Sequence, residues 1–338
     1  MKRNISAATL VSTYRTSSQR RIADGRYTAA VLFICSLIFW GAGALFGADS
    51  SVAYVPAWTS QWLSDGNPLV LRFVAMFFSM LAAMLMASYV ILERRVVWQS
   101  CMLAFVAAAV FNVLPDASAF FSMLLPVALI GLLFRCDVSG DIVRNLYALF
   151  AIATGLALLF PQLVILLPLL LLYPASGGKL STRAFFAALL GVATPLWVAA
   201  ALIYLFPSLA PILDSPKEAL VALWQMPSVA LSPAMLLVLV AELVVVLPAM
   251  IHFFVTGSIG RTHLRRRMVF SIVLDVVLWM AGWLRPELLA LFFVWRLPIF
   301  SLLSAYFFSV LPPKISNVYI ISSLLLWVAS TIVGVWIV

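Results

Sequence analysis

The chain has 338 residues, 65% of them hydrophobic and only 10% charged, with a mean hydropathy of +1.13. A soluble domain carries roughly 45–50% apolar and 25% charged residues, so a soluble enzyme or a nucleic-acid-binding domain is excluded, although the net charge is +9. Apolar runs recur along the whole length with short connections, which predicts an all-α, polytopic transmembrane bundle of about eleven spans and no separate soluble domain.

Residues 1–27 are rich in Ser and Thr and carry Lys2, Arg3, Arg15, Arg20, Arg21 and Arg26 without an apolar period. They read as a basic cytoplasmic tail, and residues 28–338 as a single transmembrane domain. The first span, Thr28 to Ala48, contains Ala42-Gly43-Ala44, a small-x-small pattern of the kind found at cleavage sites. The apolar run continues past it, as an uncleaved anchor does. Further spans are expected at 69–92, 97–114, 118–134, 145–160, 162–174, 184–206, 233–255, 268–284, 288–308 and 318–338. Basic residues gather in cytoplasmic loops. With the amino terminus inside and the carboxyl terminus outside, only Arg72, Lys217, Arg285 and Arg296 of the 21 lysines and arginines fall elsewhere. That orientation, in a bacterial inner membrane, is the one the charge pattern favours.

Two of these spans are too short to cross upright at 1.5 Å per residue, and together they predict a shallow hairpin turning at Phe160-Pro161. Pro168 is expected to interrupt its second arm, in the manner of broken helices that line cavities. On the outer face, two longer connections predict interfacial amphipathic helices. In residues 49–68, Trp58 and Trp62 stand four apart on one helical face. In residues 207–232, Ser215-Pro216-Lys217-Glu218 forms a capping box ahead of the apolar stripe Leu220, Val221, Leu223 and Trp224.

Three consecutive spans each carry an ionisable residue near the midplane: Glu242, Asp275 and Arg296. At 1.5 Å per residue they lie roughly 13, 10 and 12 Å from the nearer ends of their helices, close enough in depth to meet in a core about 30 Å thick. A charge at the bilayer centre costs at least roughly 2.5–3.5 kcal/mol. Two acids and one base at one depth therefore mark either a substrate or ion site or a salt bridge that ties three helices together. His252 follows Glu242 towards the inside and would extend a proton relay, or simply be solvated at its helix end. On the outer side Asp49, Asp65, Asp116 and Glu287 border the membrane near Arg72 and Arg285. A carboxylate beside an arginine suits general-base work on a hydroxyl acceptor while the arginine holds a phosphate, and helix capping is the plainer use of such acids. Cys35, Cys101 and Cys136, with His252 and His263, form neither a disulfide framework nor a metal-ligand spacing, so neither metal nor cofactor is expected. The cluster Arg261, Arg265, Arg266 and Arg267 reads as a topological stop in contact with acidic lipid.

The run from Gly140 to Ala200, DIVRNLYALFAIATGLALLFPQLVILLPLLLLYPASGGKLSTRAFFAALLGVATPLWV at its centre, resembles a central hairpin in a family of uncharacterised bacterial multi-pass inner-membrane proteins. More distantly it is similar to membrane glycosyltransferases that use polyprenyl-phosphate sugars. In those a GLxLGLAxLxxP-like helix, a short Leu/Pro helix, a basic loop and an LLGxxxP helix follow one another. The resemblance implies an acid in the first outer loop as base, at Asp49 or Asp65. Arg72, Glu242, Asp275, Arg285 and Arg296 are the candidates for substrate binding. This chain lacks the paired acidic motif and the large outer domain of those enzymes. Handling of a lipid-linked envelope precursor is thus the leading expectation, with membrane lipids and a polyprenyl-phosphate-linked substrate as partners and no nucleic acid. A secondary transporter built on Glu242, Asp275 and Arg296 is the second, and a non-catalytic subunit of an envelope assembly the third.

Overall fold

The computed structural model of the chain describes residues 27–46, 67–88, 96–138, 141–159, 164, 166–207, 233–255, 262–284 and 289–336. Asp49, Asp65, Lys217, Arg285 and Glu287 lie outside these residues. So do the tail up to residue 26, the Phe160-Pro161 turn and, except for their ends, the two expected interfacial helices. Among the described residues every regular element is a helix.

In chain order the helices are α1 (Thr28–Phe46), α2 (Pro68–Ser88), α3 (Val96–Phe111), α4 (Ala117–Phe121), α5 (Leu124–Val138), α6 (Ile142–Leu159), α7 (Leu167–Ser176), α8 (Thr182–Leu205), α9 (Pro233–Val255), α10 (Thr262–Leu284), α11 (Leu289–Val310) and α12 (Pro313–Trp336). Seven segments are long and apolar enough to cross a membrane: α1, α2, α4 taken with α5, α8, α9, α11 and α12. Helices α3, α6 and α7 are apolar but shorter. Helix α10 has the length, 23 residues, but carries Arg265, Arg266, Arg267 and Asp275.

Proline chemistry explains where the observed helices depart from the expected spans. The stretch expected as one span over 118–134 breaks at Ser122 and Met123. Pro126 has no N–H to give the Ser122 carbonyl and its ring crowds that turn, so the helix ends and restarts, with Pro126 placed where an N–H has no helical partner anyway. Asp116 caps the first piece, accepting from the Ser118 amide at 3.0 Å. Pro168 does not interrupt a helix as expected; it stands at the start of α7, where its fixed φ is pre-organised. Helix α7 ends on a Schellman motif: Gly178 has φ 64°, the Lys179 amide donates to the Pro174 carbonyl at 3.1 Å and the Gly178 amide to Ala175 at 3.0 Å.

Apart from Arg296 and a few serines, helix α11 is apolar around its circumference, and a helix of that kind belongs in the interior. It is buried along nearly all its length and packs against α3, α4, α5, α9, α10 and α12. Trp295 donates to Ser122 Oγ at 2.7 Å across the α4–α5 break, Phe300 meets Trp327 of α12 edge-on, and Phe308 meets Trp98 of α3. Helix α8 occupies the periphery and exposes Phe186, Leu190, Trp197 and Tyr204, the apolar belt that acyl chains cover in a membrane-embedded protein.

The principal partner of α6 is α8 rather than its hairpin neighbour α7. Gly191 makes that packing possible: a Cβ there would stand 2.6 Å from the Tyr147 carbonyl oxygen and 2.9 Å from Phe150 Cβ. Backbone cannot swing aside as a side chain can. Gly191→Val is therefore expected to separate α6 from α8 and lower the thermal midpoint of the purified protein. Gly155→Ala, on α6 with open space around it, should be neutral or stabilising by up to about 1 kcal/mol. Equal midpoints for the Gly191 variant and the wild type would show that the two helices do not depend on close backbone approach.

Candidate functional site

Glu242 on α9, Asp275 on α10 and Arg296 on α11 come together. Arg296 Nε donates to Asp275 Oδ1 at 3.0 Å and Nη2 to Oδ2 at 3.2 Å, a two-pronged grip that fixes the guanidinium plane. The same Nη2 lies 2.8 Å from Glu242 Oε1, and all three side chains are at most 3% exposed. Trp279 and Phe293 present their rings to the Arg296 Cζ at 5.7 and 5.8 Å, so the cation is held by π-faces where carboxylates do not reach it.

The pairing answers the cost of burying each charge, but the count is uneven. Two carboxylates face one guanidinium, and Glu242 Oε2 is buried without a hydrogen-bond partner. One formal negative charge is left over when both acids are ionised, and a proton or a cation would balance it. A space of about 10 Å³ lies against Arg296, bounded by Leu239, Trp279 and Phe293 among others, the lower limit for one water. Pro298 lies two residues beyond Arg296 and Pro248 six beyond Glu242. Each proline removes a helical donor, so the Val294 and Val244 carbonyls lose the partner they would have four residues on.

Arg72 occupies a different part of the bundle. It sits on the first turns of α2, buried, with its Cζ 5.1 Å over the Phe111 ring. Gly43 of α1 leaves the room it needs, since a Cβ there would collide with Arg72 Nη1 and with Asn112 Oδ1. Asn112 in turn donates to the Phe39 carbonyl at 3.1 Å, tying α3 to α1. Between α1 and α2 lies a pocket of about 200 Å³ with Arg72 in a wall of Leu37, Trp40, Leu69, Phe73 and Met76. Asp116, weighed above as a base or a cap, is the cap of α4. His252 lies against the Phe307 ring near the end of α9, edge to face at 6.4 Å.

Two features were not foreseen. Arg267, read as part of a topological stop in contact with acidic lipid, is buried, with Nη2 donating to the Phe134 carbonyl at 3.3 Å and Cζ 5.3 Å over the Phe134 ring. Its signal was present, since Arg267, Ser271 and Asp275 follow one another at four-residue spacing and mark the inward face of α10. The Ser122–Trp295 bond had no such signal, because it depends on where a broken helix happens to face. Among the described residues no three His, Cys, Asp or Glu side chains cluster closely enough to hold a metal ion.

The architecture defines the class only broadly: an all-helical protein with several helices suited to a membrane. No family model, no curated protein and no solved structure matches the chain.

Removing one partner of a buried ion pair strands the other, typically at about 3–5 kcal/mol. Arg296→Leu should therefore lower the thermal midpoint markedly, and adding Asp275→Leu should recover part of the loss. If the two substitutions are additive within about 0.3–0.5 kcal/mol, the triad contributes no coupling and cannot be the tie between α10 and α11.

Proposed function

We propose that this protein crosses a bacterial inner membrane about eleven times, amino terminus inside, and handles a lipid-linked precursor of the cell envelope, in a manner similar to polyprenyl-phosphate-dependent glycosyltransferases. The observation that supports it best is Arg72, a guanidinium set in the wall of an apolar pocket between α1 and α2. Arg72 is the fifth residue of α2, about 6 Å from its end, which is the depth of a lipid phosphate when the helix end lies at the outer surface. A pocket with one fixed cation and walls of Leu37, Phe73 and Met76 takes a phosphate and the first carbons of its chain together. The acid that would act as base belongs to the adjoining outer connection, at Asp49 or Asp65.

A secondary transporter is the second reading, favoured by the surplus carboxylate of the Glu242–Asp275–Arg296 triad. A site that gains and loses one proton at mid-membrane depth is what coupling requires. The two readings differ in which residue is indispensable. For precursor handling, Arg72→Leu and Asp49→Asn should reproduce the pool of polyprenyl-linked intermediates seen in cells lacking the gene, at normal protein level, while Glu242→Gln should be mild. For transport the order reverses. Normal pools in all three variants, and in the deletion itself, would reject the precursor reading.

Orientation has its own test. Cysteines placed at Ser51 and Ser215 should react with an impermeant thiol reagent added to intact cells, and one at Ser139 should not. Labelling at Ser139 and protection at Ser215 would invert the topology.

A further inference from the structure

The largest of the spaces described in the bundle lies far from both sites above, between the carboxyl end of α7 and the amino end of α10, and measures about 570 Å³. Its two walls are ordered in the same sense. Along α7 the lining passes from Ser176 and Gly177 through Tyr173 to Leu172 and Leu169; along α10 it passes from Arg265 and Arg266 through Val269 to Val273. Both walls therefore begin polar and become apolar over about 10–12 Å, at 1.5 Å per residue. Among the described residues no Asp or Glu lines the groove.

The cations at its mouth are arranged rather than merely numerous. Arg266 holds its guanidinium over the Tyr173 ring at 5.3 Å and so close to Gly177 that any Cβ there would overlap it. Arg267 and Lys179 are turned away, donating to the Phe134 and Cys136 carbonyls at the end of α5. Arg265 is exposed beside Arg266, and Leu172, Val269 and Val273 below them are exposed as well. Helix α7 has only ten residues, about 15 Å, half the thickness of a bilayer core.

We propose that this groove is a binding site for a membrane amphiphile with an anionic phosphate headgroup. Arg265 and Arg266 take the phosphate, and Leu172, Val269 and Val273 take the start of its chain. Two guanidinium groups match phosphate oxygens in geometry as well as charge, and the volume is that of a small-molecule site. The site stands at the opposite end of the bundle from Arg72 and does not depend on the function proposed above.

The test is native mass spectrometry of the purified full chain in detergent, titrated with phosphatidylglycerol, with phosphatidylcholine, and with inorganic phosphate as competitor. Phosphatidylglycerol should be retained in preference to phosphatidylcholine, with at least tenfold weaker retention in Arg265→Gln/Arg266→Gln. Val273→Trp, which fills the apolar half and leaves the charge intact, should weaken it as well. Arg144→Gln, a basic residue outside the groove lining, should not. If the double variant fails to fold, Arg265→Gln alone makes the comparison, since its side chain is exposed. Equal retention in the groove variants and wild type, or an equal loss in Arg144→Gln, overturns the proposal. Displacement of the lipid by inorganic phosphate at matched concentration would also overturn it, by showing a site for a free anion.

Discussion

Burial of the Arg296 guanidinium in the central helix is the constraint around which the bundle is arranged. Helix α11 carries this one charge among apolar side chains and a few serines, and it is buried along nearly all its length. Its neutralisation must come from neighbours, and both carboxylates arrive on helices that precede it in the chain. The bidentate grip of Asp275 fixes the rotation of α10 against α11, and the single contact to Glu242 does the same for α9. Side chains that lipid would otherwise accept in any rotation are thereby given one register. Packing of Phe300, Phe308 and Trp295 follows from that placement.

The membrane character and most helix positions were legible in the sequence because acyl chains impose a single requirement, apolar side chains over a fixed length. The meeting of Glu242, Asp275 and Arg296 was legible for the same reason: charges at matched depth in adjacent spans have few other ways to be compensated. What could not be read depends on rotation and on local breaks. Lipid-facing and core-facing positions are equally apolar here, so nothing in the pattern showed that α6 would choose α8 over α7, whereas the inward turn of Arg267 was readable from its four-residue spacing to Ser271 and Asp275. The break before Pro126 was readable in principle, since proline at that spacing from Ser122 forbids a continuous helix. Pro168 was misread because a proline marks the start of a helix as readily as its interruption.

The bundle divides its polar chemistry by depth. Arg72 and the Arg265–Arg266 pair lie near opposite ends and each borders an apolar space, whereas the triad lies between them with almost no space at all. Cations that border a pocket can exchange partners, and a cation clasped by two carboxylates cannot do so without the helices moving. The same residue type thus stands beside open space at the ends and inside a closed contact in the middle.

The position of α11 in the chain has a consequence for biogenesis. The hydrogen bond from Trp295 to Ser122 joins residues 173 positions apart. At the usual synthesis rate of 5–20 residues per second, about 9–35 s pass between the emergence of one partner and the other. Over that interval the faces of α3, α4 and α5 that α11 buries lack their cover, and Glu242 and Asp275 precede the arginine that neutralises them.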